Sequence, residues 1–99
     1  MGMTELVVSR RARDDFKRIW RYIALDNANA ADKLLLALEV KVARLKTHPE
    51  IGAPRDEIRP GARVLVHGSY LILYEFRRKE DVVEVVAIVE GRRDLGHMF

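Results

Sequence analysis

Cysteine is absent from the 99 residues, so neither a disulfide framework nor a thiolate metal site is available. Proline and glycine are scarce, three and six, and no linker, internal repeat or low-complexity segment interrupts the chain. No apolar run approaches the roughly 18 residues that a membrane-spanning helix needs. The opening MGMTELVVSRR has none of a signal peptide's long apolar stretch, which makes a cytoplasmic location the expectation. Charge of one sign is not abundant either. Eighteen Lys and Arg against fifteen Asp and Glu leave +3, a mild excess compatible with an acidic protein partner or with nucleic acid. His48, His67 and His97 are scattered without metal-ligand spacing, so no metal or cofactor is expected. A chain this short has room for one core, and residues 1–99 are expected to form one domain. Packing or a partner must supply its stability.

What is present is organised around residues 58–95, IRPGARVLVHGSYLILYEFRRKEDVVEVVAIVEGRRDL. Arg59 and Arg63 stand at the entrance of this stretch and Arg92 and Arg93 at its exit. Three strands are predicted within it, at 63–67, 70–77 and 82–90. Gly68-Ser69 suits a tight hairpin turn because glycine tolerates positive φ, and 77–81 (RRKED) makes a solvated second connection. Upstream, the β-branched run at 4–9 (TELVVS) predicts another strand. Ser9 can then cap a helix whose apolar positions Ala12, Phe16, Ile19 and Ile23 recur at spacings of four, three and four. Trp20 flanks that face, and Asp14 and Asp15 suit the helix dipole. Arg10, Arg11, Arg13, Lys17, Arg18 and Arg21 line the outward side as a solvated helix face. Asn27 or Asn29 caps a second helix beginning near Ala30, apolar at Ala31, Leu34, Leu35, Leu38, Val42 and Leu45. So short a connection predicts an antiparallel hairpin. Residues 47–62 hold all three prolines and read as a long loop. The order is β-α-α-β-β-β, an α+β fold with a helical hairpin on a mainly antiparallel sheet.

The strands alternate poorly for a sheet with one wet face. Tyr70, Ile72, Tyr74 and Phe76 point one way while Leu71 and Leu73 point the other. In the last strand Val83, Val85, Ala87 and Val89 make one face, and Val82, Val86 and Ile88 share the other with Glu84 and Glu90. Two helices cover one side only, so an apolar groove rimmed by arginine is expected on the other, fit to receive another chain. The partner-binding candidates are Tyr70, Ile72, Tyr74, Ile88, Glu90, Arg92, Arg93 and Asp94.

The stretches RIWRYIALDNANAA, IRPGARVLVHGSYLILYEF and VVEVVAIVEGRRDL, in this order and spacing, resemble the toxins of the ParE/RelE superfamily from type II toxin–antitoxin modules, the ParE-like branch most closely. The resemblance runs from the first strand to Leu95. It implies a βααβββ fold and a bacterial or plasmid operon that also encodes an antitoxin, ParD-like or other, which wraps the toxin. Operator DNA would be met only indirectly, through that antitoxin. ParE-like members inhibit DNA gyrase, and RelE-like members cleave mRNA on the ribosome. Cleavage by internal attack of a 2′-OH needs a base, an acid and a cation at the phosphate. Arg63 falls where RelE-like enzymes keep a phosphate-binding arginine, and Arg59, Arg93 and His97 could assist. No clear acid–base pair accompanies them. Where the ParE-like ending usually has His before Gly-x-Arg-Asp-Leu, this chain has Glu90. The favoured expectation is a gyrase inhibitor without a catalytic site. The alternatives are a RelE-like endoribonuclease and a non-toxic, antitoxin-binding relic.

Overall fold

The computed structural model describes residues 3–91. Strand β1 (Glu5–Val8) leads into helix α1 (Arg10–Ala24), and helix α2 (Ala28–Ala43) follows after three residues. A short 3-10 turn, Arg44–Lys46, closes α2. Then come β2 (Ala53–Pro54), β3 (Ala62–His67), β4 (Tyr70–Arg77) and β5 (Val82–Glu90). The sheet order is β1-β5-β4-β3-β2, antiparallel except where β1 runs parallel to β5. The predicted α+β order holds. The loop at 47–62 contributes one strand more than expected, a two-residue edge paired to Arg63 and Val64.

The caps form as the sequence suggests. Ser9 Oγ accepts the Ala12 amide, and Asn27 Oδ1 accepts that of Ala30, which starts α2 two residues earlier than predicted. Each such cap is worth about 1 kcal/mol. One face of the hairpin and one face of the sheet share the main core: Ala12, Ile19, Leu38, Val42, Leu45, Ile72, Tyr74, Val83, Val85 and Ile88. A fully buried Leu, Ile or Val there contributes roughly 1.5–3 kcal/mol.

Two expectations are overturned, and one irregularity explains the first. Leu73 lies opposite Ala87 but Tyr74 lies opposite Val85, so Val86 is an extra residue, a β-bulge. Side chains alternate with a period of two, and an extra residue therefore exchanges the faces. Val83 and Val85 face the helices before the bulge, and Ile88 faces them after it. Val86 joins Ala62, Val64, Leu73, Leu71 and Ile58 on the far side.

Asp15 accounts for the second. It does not sit at the helix start as a dipole partner. It is buried, and its Oδ2 accepts the Ile88 amide at 2.9 Å, while Ser9 Oγ donates to the Val86 carbonyl at 2.8 Å. The cap of α1 and its second turn thus satisfy the backbone groups around the bulge, which would otherwise be buried without partners.

Candidate functional site

The far face of the sheet is not the open apolar groove expected from the strand pattern. Val64, Leu73, Ala87 and Val89 are all buried, and Ile58 folds from the long loop onto this side. The partner-binding candidates divide accordingly. Ile72, Tyr74 and Ile88 have no exposed surface and lie in the core beneath the helices, where no second chain can reach them. Tyr70 is half-buried against the same cluster, and Glu90 is exposed at the end of β5. Burial raises the Tyr70 phenol above its usual value, with Glu90 and Tyr22 adding to the effect. Arg92, Arg93, Asp94 and His97 lie outside the described residues.

Arg63 and Arg59, two of the three arginines proposed for phosphate chemistry, do not converge. Arg63 Nη1 donates to the carbonyls of Glu50 and Gly52 at 2.9 and 2.7 Å, and its Nη2 lies 3.6 Å from the Glu50 carboxylate. It ties the long loop to β3, on the strand position opposite Tyr74. Arg59 reaches the other face instead, where its Nε lies 2.6 Å from Glu75 Oε2. Arg77 also approaches Glu75 and pairs with Glu84, forming a small ion network. Among the described residues no three His, Asp or Glu side chains gather as a metal site. No helix among them is long and apolar enough to cross a membrane.

The helical hairpin carries a share of the exposed apolar surface, with Val7 and Val66 of the sheet exposed as well. Phe16, Trp20 and Leu35 floor a groove of about 410 Å³ between α1 and α2, edged by Arg13, Lys17 and Arg21 on one side and Glu39 on the other. The Trp20 indole donates to Asp32 across the hairpin at 2.8 Å, which fixes the ring as part of the wall. The sequence singles out these residues apart from Asp32 and Glu39, but as apolar positions, a flanking Trp20 and a solvated basic face. The signal that could have revealed the groove is the placement of Trp20 beside the apolar face, where its body has no sheet to cover.

The model of one protein family, the ParE toxin of the parDE type II toxin–antitoxin system, matches residues 6–95. The chain belongs to the ParE toxin family. ParE relatives fit it along most of their length. It is 30% identical to toxin ParE3 of Caulobacter vibrioides over 94 residues, 94% of this chain and 92% of that protein. It is 35% identical to toxin ParE1 of Mycobacterium tuberculosis over 65 residues, 66% of this chain and 65% of that one. The fold recurs in the chromosomal ParDE system of P. aeruginosa, with a TM-score of 0.75 at 22% identity, covering 91% of this chain and 98% of the other. It recurs again in the M. tuberculosis RelBE2 toxin–antitoxin complex, with a TM-score of 0.69 at 16% identity, covering 91% and 99%. A chain of a ParDE system and one of a RelBE2 complex thus share this fold.

Proposed function

We propose that this ParE-family chain is the toxin of its module, that it acts by binding DNA gyrase without chemistry of its own, and that a cognate antitoxin neutralises it in the cytoplasm. The observation that carries this reading is the engagement of Arg63. A guanidinium whose Nη1 bonds two backbone carbonyls is turned into the loop, and the Glu50 carboxylate beside its Nη2 disfavours a scissile phosphate there. Arg59 is held by Glu75 on the opposite face, so the pair cannot clamp one phosphate. The groove of Phe16, Trp20 and Leu35, with Arg13, Lys17 and Arg21 along its edge, supports docking of an antitoxin helix on the hairpin. Operator DNA would be contacted through the antitoxin.

The test sets two assays side by side on the purified chain. Inhibition of gyrase supercoiling with ribosome-bound mRNA left whole is expected, and added antitoxin should restore supercoiling. Cleavage of mRNA that Arg63→Ala abolishes, with supercoiling untouched, would replace this reading with an endoribonuclease. Expression without antitoxin should arrest growth; unchanged growth would leave only an antitoxin-binding relic.

A further inference from the structure

The outward side of α2 carries a second apolar surface, distinct from the groove. Leu36 and Val40 stand one helical turn apart and are 62% and 55% exposed, on the side turned away from Leu38 and Val42. With Ala37 they form a shallow depression of about 450 Å³, flanked by Lys33, Lys41 and Arg44. A helix packed on a sheet is expected to be polar on this side. Here three cations frame an apolar centre. The acids of α2 lie elsewhere, Asp32 bonded to Trp20 and Glu39 at the groove. Lys41 is held in place by the Val66 carbonyl of β3, so one edge of the frame is fixed.

We propose that this ridge seats a further stretch of the antitoxin: an acidic, amphipathic segment carrying two apolar side chains one helical turn apart. The inference rests on the antitoxin reading above and adds a second contact to it. Three cations with no acid among them select carboxylates flanking the apolar residues. A second copy of this chain fits poorly, since it would bring two sets of Lys33, Lys41 and Arg44 face to face. A phosphate backbone would leave Leu36 and Val40 covered by charge and unmatched. The antitoxin is favoured by continuity: Leu35 lines the groove and Leu36 begins the ridge, so a segment leaving the groove over α2 meets this surface next. The apolar pair would carry most of the affinity, and the cations would set orientation and salt dependence.

The experiment measures the affinity of the full chain for the antitoxin encoded beside it, at low and high salt. It compares wild type, Leu36→Glu/Val40→Glu, Lys33→Glu/Arg44→Glu, and Trp20→Ala as the groove variant. Melting of each free chain confirms folding. Leu36→Glu/Val40→Glu should weaken binding about tenfold or more, as loss of a buried apolar anchor does. Lys33→Glu/Arg44→Glu should weaken it at low salt and flatten its salt dependence. If both ridge pairs bind within about twofold of wild type while Trp20→Ala does not, the ridge inference fails and the antitoxin reading stands. If the wild type binds no antitoxin, the reading and the inference fall together. If the lone chain self-associates and Leu36→Glu/Val40→Glu abolishes it, the ridge is a contact between copies and the inference is overturned.

Discussion

Asp15 is 2% exposed on a helix otherwise edged with arginine, and its carboxylate accepts the Ile88 amide at 2.9 Å and an Arg18 N–H at 2.7 Å. Removing it strands a buried donor at the bulge, which costs about 1–3 kcal/mol. Asp15→Ala should therefore lower the unfolding free energy from urea titration by that amount, and Asp15→Asn, which keeps an acceptor oxygen, by less. Equal stability of wild type and Asp15→Ala would show that the Ile88 amide finds another partner. Tyr74 offers a pH-dependent counterpart. Burial raises its phenol, the Gly52 amide it accepts and nearby Arg63 pull it back down, and Glu50 raises it again, with a net upward shift. In the unfolded chain a tyrosine ionises near 10. The neutral phenol thus favours the fold at all pH values below about 10, and that contribution is lost as pH rises through the higher folded value. Alkaline denaturation followed by circular dichroism should be steeper for wild type than for Tyr74→Phe. Parallel curves above pH 10 would remove Tyr74 as the cause.

Among the elements, the loop at 47–62 carries more structure than its composition suggests. Gly52 is buried where a Cβ would stand 2.7 Å from the Tyr74 ring and 2.9 Å from the Val64 carbonyl. The second neighbour is backbone and cannot step aside. Gly52→Ala should cost about 1–3 kcal/mol by overpacking and break the Gly52–Tyr74 hydrogen bond, whereas Glu57→Ala in the same loop should change little. Thermal melts of the two variants check this; similar losses would mean that the loop is held by something other than the Gly52 contact. The helices, their caps and the four longer strands were legible in the sequence because Ser9, Asn27 and the apolar periodicities act locally. The bulge at Val86 was not. Nothing in Glu-Val-Val-Ala-Ile marks an unpaired residue, since its stabilising partners, Ser9 and Asp15, lie more than 70 positions away. That one residue moved Ile88 under the helices and Val86 out, and with it dissolved the sheet-face groove inferred from alternation. Arg63 was legible as a singular side chain, but its role was not, because Glu50 and Gly52 approach it only in the folded loop.

Across the described residues, the sheet is less open than expected. Most apolar residues on its two faces are buried or half-buried, Val7 and Val66 being exposed, and the hairpin exposes Tyr22, Leu25, Leu36 and Val40. The same substitution at two isoleucine- and leucine-class positions therefore separates the layers. Ile72 has no exposed surface and packs among residues of both helices and the sheet. Ile72→Lys removes roughly 1.5–3 kcal/mol of apolar burial and places an ammonium in the core, where the Asp15 carboxylate is already engaged by the Ile88 amide and Arg18. The combined cost approaches the roughly 5–15 kcal/mol that holds a domain folded, so this variant should be unfolded or partly folded by circular dichroism at room temperature. Leu36→Lys exchanges one exposed side chain for another and should leave the melt within about 0.5 kcal/mol of wild type. Were the sheet the docking face, the order would reverse, with Ile72→Lys folding normally and losing only its partner. A folded Ile72→Lys chain with a native melt would thus restore the sheet as the binding surface and remove the hairpin from that role.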